Sequence, residues 1–201
     1  MKAVGGKGLA QHSFELGLGW AEMEIEVDDR KYFSVPSCLS DPLKDLLEGL
    51  LSIIPSCVPE DELKSMIAFK WYLEPAADKW TLELTDDLKL KIVIEEFEDE
   101  FEDEFADKGK IGFDVTCNLL DFLNEVIKSL EQLLKKHGFV GYKNTWYLQD
   151  FPISSFLKLK YYLNYQTTYP TLKELNDGAI KLEKSDLEQD VNLLLGDIEE
   201  N

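Results

Sequence analysis

Residues 67–94, IAFKWYLEPAADKWTLELTDDLKLKIVI, contain the clearest indication of the fold class. They contain three runs rich in aromatic and β-branched residues, at 67–73, 80–84 and 88–94, and each run is typical of a strand. The connections between the runs contain Pro or Asp and are too short for a crossover between parallel strands. Consecutive strands joined in this way are antiparallel neighbours, so the stretch predicts a meander.

The sequence before the meander also alternates between apolar and polar residues. From Phe14 to Val27 the parity of the alternation changes beside Gly17 and Gly19, which predicts one long strand with a bulge. Residues 32–35 are typical of a returning strand. Glutamates occupy polar positions of the alternation in the second half of this strand, so its solvent-exposed face should be acidic. These glutamates are Glu22, Glu24 and Glu26.

Apolar residues at helical spacing predict four helices. The first has Asp41 as its N-cap and ends before Pro55. The others are expected at residues 118–137 with Gly138 as the C-cap, at 150–162, and in a small C-terminal segment capped at Ser185. Because strands follow one another instead of alternating with helices, we expect an α+β fold. Its largely antiparallel sheet would have five or six strands, with helices packed on one face.

Length and composition favour a single folded domain over residues 1–201. Hydrophobic residues make up 44% of the chain, which is enough to form a core. Within this domain we expect an N-terminal extension at residues 1–12, an acidic insertion at 95–110, and a polar C-terminal segment at 170–201 that holds a short helix.

The charge balance excludes several classes of partner. Forty Asp and Glu stand against 21 Lys and Arg, giving a net charge of −19. Nucleic acid and anionic lipid both require a surplus of cationic side chains, so neither is expected as a ligand. The sequence has no apolar run of membrane-spanning length and no secretory signal pattern. Three cysteines without C-x-x-C spacing favour reduced thiols, so we expect a cytoplasmic protein of undetermined oligomeric state.

The acidic residues are concentrated at positions 95–107, where nine of thirteen residues are Asp or Glu. Phenylalanines recur every fourth position in this run, at Phe97, Phe101 and Phe105. A solvated insertion, a protein-binding surface and a calcium site are all compatible with the pattern. No D-x-D-x-D-G motif fixes a metal site, so neither metal nor cofactor is assigned. The candidate partner-binding residues are Glu98, Asp99, Glu100, Phe101, Glu102, Asp103, Glu104 and Asp107.

Catalytic motifs are absent from the sequence. There is no G-x-S-x-G, H-E-x-x-H, Walker A or G-x-G-x-x-G pattern, and His12 and His137 stand far apart along the chain. The sequence therefore predicts a protein that is not an enzyme. A second candidate surface contains Trp146, Tyr147 and Phe151, which are large enough to anchor a partner but would serve equally to close the core.

Three segments resemble a known group of proteins. They are Ser-Cys-Leu-Ser-Asp-Pro-Leu-Lys-Asp-Leu-Leu at 37–47, Phe-Lys-Trp-Tyr-Leu-Glu-Pro at 69–75, and the stretch from His137-Gly138 to Asp150-Phe151-Pro152. In this order they resemble uncharacterised bacterial proteins of similar size, some of which are similar to immunity proteins of toxin–antitoxin and competition systems. The resemblance implies a non-enzymatic inhibitor that binds a protein toxin, and the acidity would suit a basic toxin.

Overall fold

A computed structural model of the chain describes residues 10–85, 88–99, 109–147, 149–176 and 179–196. Strands β1 (Ala10–Leu16), β2 (Ala21–Val27) and β3 (Arg30–Ser34) form an antiparallel sheet in that order. The prediction of one long strand is therefore wrong, because a tight turn separates β1 from β2. The backbone N–H of Gly17 donates to the carbonyl of Trp20 at 2.7 Å, and Gly19 has a φ of 75°.

Helix α1 (Pro42–Ile53) follows this sheet and confirms the predicted first helix. The side chain of Asp41 caps it by accepting from the backbone N–H of Lys44 at 3.4 Å. Burial of a full leucine stripe fixes the helix on the core. The buried leucines are Leu43, Leu46, Leu47, Leu50 and Leu51.

The predicted meander is confirmed as a four-stranded antiparallel sheet. Its strands are β4 (Met66–Tyr72), β5 (Ala77–Leu84), β6 (Lys89–Phe97) and β7 (Lys110–Asn118), in that order. The inward face is apolar and includes a pair of fully buried indoles. The ring centroids of Trp71 and Trp80 are 4.4 Å apart, and Trp80 also stacks on Phe69 at 6.0 Å.

Helix α2 (Leu119–Thr145) is longer than predicted. Its N-cap Asn118 accepts from the backbone N–H groups of Leu120 and Asp121 at 2.8 and 3.1 Å. Gly138 has φ 60° and ψ 175°, which breaks the helix as expected of a C-cap glycine. However, the chain resumes helical geometry after this kink, so Gly138 changes the direction of the helix instead of ending it.

The chain after α2 forms the third predicted helix, a hairpin that was not predicted, and the fourth predicted helix. Helix α3 (Ile153–Tyr165) is tied to α2 by a buried ion pair, with Lys160 Nζ 2.6 Å from Glu131 Oε1. Strands β8 (Leu172–Asn176) and β9 (Ala179–Lys184) form a two-stranded hairpin. Helix α4 (Leu187–Leu195) is capped by Asp186, one residue after the predicted cap Ser185.

The class is thus α+β, but the described residues contain nine strands instead of five or six. The two larger sheets share one core. The guanidinium of Arg30 donates to the carbonyl of Asp114 at 2.6 Å, and the rings of Tyr32 and Phe113 lie 5.8 Å apart. Helix α2 covers β1, and α1 covers β4 and β5.

Two predicted segment boundaries change. Residues 10–12 of the expected N-terminal extension belong to β1, and the earlier residues of that extension lie outside the described part. Residues 95–97 of the expected acidic insertion complete β6, and Lys110 begins β7.

Candidate functional site

The outer face of the first sheet is acidic. Its glutamates alternate with buried residues along β1 and β2, so all of them point away from the core. We call this surface the acidic face, and it consists of Glu15, Glu22, Glu24 and Glu26. Glu15 and Glu22 lie directly opposite each other in the strand register. Like charges in that position oppose folding.

Two lysines partly neutralise the acidic face. The Nζ atom of Lys31 lies 2.7 Å from Glu26 Oε2 and 3.3 Å from Glu24 Oε1, and Lys136 pairs with Glu15. These lysine side chains are more than half exposed. Exposed ion pairs contribute little free energy, so cations from a partner can replace them at small cost.

Phe33 connects the acidic face to a cleft. It lies opposite Glu24 in the register of β2 and β3, and its side chain is 57% exposed. The same residue lines a cleft of about 340 Å³ between β3 and the ends of β5, β6 and β7. We call this the Asp78 cleft; it is lined by Tyr32, Phe33, Leu73, Ala76, Asp78, Glu96, Phe97, Glu98 and Lys110.

Asp78 is a buried carboxylate in this cleft. It accepts hydrogen bonds from the hydroxyl of Tyr32 at 2.8 Å and from that of Ser34 at 2.5 Å. Burial raises the pKa of Asp78, although the two hydroxyl donors act in the opposite direction. Burial, followed by the charge of Asp78, raises the pKa of Tyr32, so this hydroxyl stays protonated and keeps donating.

A β-bulge in β7 lies beside Glu96, which lines the same cleft. Ile94 pairs with Phe113 while the next residue of β6 pairs with Ile111, so Gly112 has no partner on β6. The extra residue reverses the parity of β7 at this end, and Lys110 lies opposite Glu96. An added Cβ on Gly112 would collide with the carboxylate of Glu96. Glycine at this position therefore leaves room for the Glu96 side chain.

Alanine at the two glycines beside Glu96 should have unequal effects. A Cβ on Gly109 would lie 2.8 Å from the Phe97 ring and 3.0 Å from the carbonyl oxygen of Glu96, neither of which can move freely. We expect Gly109→Ala to lower the free energy of unfolding by about 2 kcal/mol. Gly112→Ala should cost less than about 1 kcal/mol, because the flexible Glu96 side chain can rotate out of the cleft. Urea unfolding of both variants measures the difference, and equal losses would contradict it.

The predicted partner-binding residues divide into two groups. Glu98 and Asp99 are exposed at the end of β6, and Glu98 lines the Asp78 cleft. The remainder lie outside the described residues: Glu100, Phe101, Glu102, Asp103, Glu104 and Asp107. The protein-binding and calcium hypotheses for that segment therefore stay predictions. Phe97, the first phenylalanine of the run, is buried.

Sequence patterns do not identify four residues in and behind the cleft: Tyr32, Phe33, Ser34 and Asp78. One signal is present, because Asp78 alternates with Trp80 and Leu82 on the inward face of β5. A carboxylate at an inward strand position requires hydrogen-bond donors. No local pattern identifies those donors, which come from β3 more than 40 residues earlier.

Two of the three cysteine thiols are held in their protonated form by burial. Burial raises the pKa of the Cys57 and Cys117 thiols to about 12, so both are protonated at neutral pH. No set of three or more His, Cys, Asp or Glu side chains in the described ranges could hold a metal ion. The cleft instead combines carboxylates with aromatic walls, which suits a cationic side chain.

The second predicted surface is mostly core. Trp146 and Phe151 are buried, whereas Tyr147 is 72% exposed. In the described part of the chain, no helix has both the length and the apolar character needed to cross a membrane.

Comparison with known proteins assigns no family to the chain. No protein-family model matches it, and searches of curated proteins and of solved structures found no match either.

Proposed function

We propose that this chain is a non-enzymatic, immunity-type inhibitor that binds a basic protein toxin. The acidic face and the Asp78 cleft would form its contact surface. The observation that carries the proposal is their continuity. Glu24 on the acidic face and the carboxylates of the cleft border the same exposed ring, Phe33. An exposed aromatic ring thus lies among carboxylates, and aromatic residues are enriched at protein interfaces.

Electrostatics supports this role. A surface of one charge sign raises the rate at which an oppositely charged partner associates, and rapid capture is what an inhibitor of a toxin requires. A lysine or arginine side chain entering the Asp78 cleft would meet Glu96 and Glu98. It would compete there with the chain's own Lys110, which lines the cleft, and with Lys70, whose Nζ lies 5.2 Å from the centroid of the Phe97 ring. Carboxylates beside an aromatic wall are suitable partners for a guanidinium group.

Neutralising the acidic face tests the proposal. We expect the combined variant Glu22→Gln, Glu24→Gln and Glu26→Gln to associate about tenfold more slowly with the partner at low salt. The partner would be sought by co-expression with the product of the adjacent gene, and rates measured by surface plasmon resonance. The matched control is Glu60→Gln, Asp61→Asn and Glu62→Gln, which removes three exposed carboxylates from the loop between α1 and β4.

Substitution of Lys31 should have the opposite effect on the association rate. Removing its charge with Lys31→Gln leaves Glu24 and Glu26 without their cation, so association should become faster. Equal rates for wild type, acidic-face variant and loop control would contradict the proposed surface. Loss of rate in the loop control alone would move the contact elsewhere.

A further inference from the structure

Four large apolar side chains are exposed on neighbouring loops at one end of the first sheet. Leu18 is 84% exposed, Trp20 39%, Leu39 59% and Tyr147 72%. We call them the apolar patch. Clustered apolar exposure marks interaction sites, whereas single exposed apolar residues need no explanation.

Backbone hydrogen bonds hold the three loops of the apolar patch together. The N–H of Cys38 donates to the carbonyl of Gly19 at 2.9 Å, and the N–H of Gly19 donates to Thr145 at 3.4 Å. The amide of Gln149 donates to the carbonyls of Cys38 and Ser40 at 3.3 and 3.4 Å. The loops are therefore tied to one another and to the helical segment that precedes Tyr147.

Tyr147 is held in an unfavourable conformation. Its φ of 44° lies in the left-handed region, which is uncommon for a residue with a bulky side chain. The neighbouring Trp146 is fully buried and anchors this turn, while the Tyr147 ring stays outside. This turn geometry therefore fixes the Tyr147 side chain on the surface.

The apolar patch adjoins the acidic face. Leu18 and Trp20 belong to the turn between β1 and β2. The strand pair next to that turn is Leu16 opposite Ala21, and the pair after it is Glu15 opposite Glu22. Apolar side chains beside a charged rim are the usual organisation of a protein interface. On the basis of the proposed function, we infer that the apolar patch is the centre of the contact. Its occupant would be a protein segment with aromatic or aliphatic side chains flanked by lysine or arginine.

Charge favours such a partner over a second copy of the chain. A second copy of the chain would present the same Glu15–Glu22 pair near its own patch, and each chain has a net charge of −19. Opposed like charges disfavour that association. A partner with a basic rim would gain from the same carboxylates.

A random peptide library displayed on phage tests the inference with the full-length chain as bait. We expect selected peptides to combine Lys or Arg with aromatic or aliphatic residues. The double variant Leu18→Ser and Tyr147→Ser should bind a selected peptide at least about tenfold more weakly. The matched control is Leu187→Ser on α4, where the native side chain is 75% exposed. Circular dichroism melts check that all variants fold.

The possible results distinguish failure of the inference about the apolar patch from failure of the proposed function. If the acidic-face variant loses the peptides but the patch double variant keeps them, the inference is overturned and the proposed function stands. If peptides selected on the chain contain no basic residues, yet depend on Leu18 and Tyr147, the inferred partner chemistry is wrong. Dimerisation that is abolished by the double variant would likewise overturn it in favour of a second copy.

Discussion

Replacing Trp80 with alanine should lower the free energy of unfolding by about 4 kcal/mol. Trp80 is fully buried on the second strand of the meander, with the Trp71 ring 4.4 Å away and the Phe69 ring 6.0 Å away. Both neighbours face it from β4, so its removal leaves a cavity on the inward face of the sheet. The packed strands around it cannot collapse to fill that volume.

A phenylalanine at the same position provides the control. No described residue accepts a hydrogen bond from the Trp80 indole N–H, so Trp80→Phe removes an unpaired donor while it retains an aromatic ring. We expect this variant to lose less than half as much free energy as Trp80→Ala. Urea unfolding followed by far-ultraviolet circular dichroism measures both. Similar losses of free energy in Trp80→Ala and Trp80→Phe would show that the indole contributes more to stability than its packing in the core.

Lowering the pH should remove about 3 kcal/mol of stability through His12 alone. Its ring packs against Phe122, and Nδ1 lies 2.7 Å from the hydroxyl oxygen of Ser129. That hydroxyl donates to the carbonyl of Val126 at 2.9 Å, so it accepts from His12, whose proton is therefore on Nδ1. Burial lowers the pKa of His12 from 6.5 to about 4, although it borders a small cleft with Glu125.

The stability falls at low pH because the unfolded chain takes up a proton that the folded chain does not. Below pH 6.5 the unfolded chain takes up a proton at His12 and the folded chain does not, so stability falls until the pH reaches about 4. Asp45, whose pKa is raised to about 6 by burial, acts in the opposite sense. His12→Asn isolates the histidine, because the carboxyl contributions are common to both proteins. The stability difference between wild type and variant should shrink as the pH falls; a constant difference would contradict the prediction.

Local signals in the sequence are sufficient for most of the fold. The caps Asp41 of α1 and Asn118 of α2 are evident from the sequence, because capping depends on a side chain and the next few backbone groups. The meander follows from short connections, which permit only antiparallel neighbours. The hairpin of β8 and β9 escapes prediction because Leu172 and Leu175 in β8 are three positions apart, which is not the period-two spacing of a strand.

The candidate site depends on long-range geometry that no local pattern contains. The Asp78 cleft joins Tyr32, Asp78 and Glu96, which belong to three separate strands, and the unpaired Gly112 sets which way β7 side chains point. The acidic run is evident from composition, but composition does not place it in space. Likewise, nothing in the aromatic segment distinguishes the buried Trp146 from the exposed Tyr147.

The contact between His12 and Ser129 can form only late in translation. The two residues are 117 positions apart, which at roughly 5–20 residues per second is a wait of about 6 to 23 s during translation. In that interval the first hairpin can form, but the helix that covers its apolar side has not been made. The apolar side of that hairpin therefore stays uncovered until the segment containing Ser129 has been synthesised.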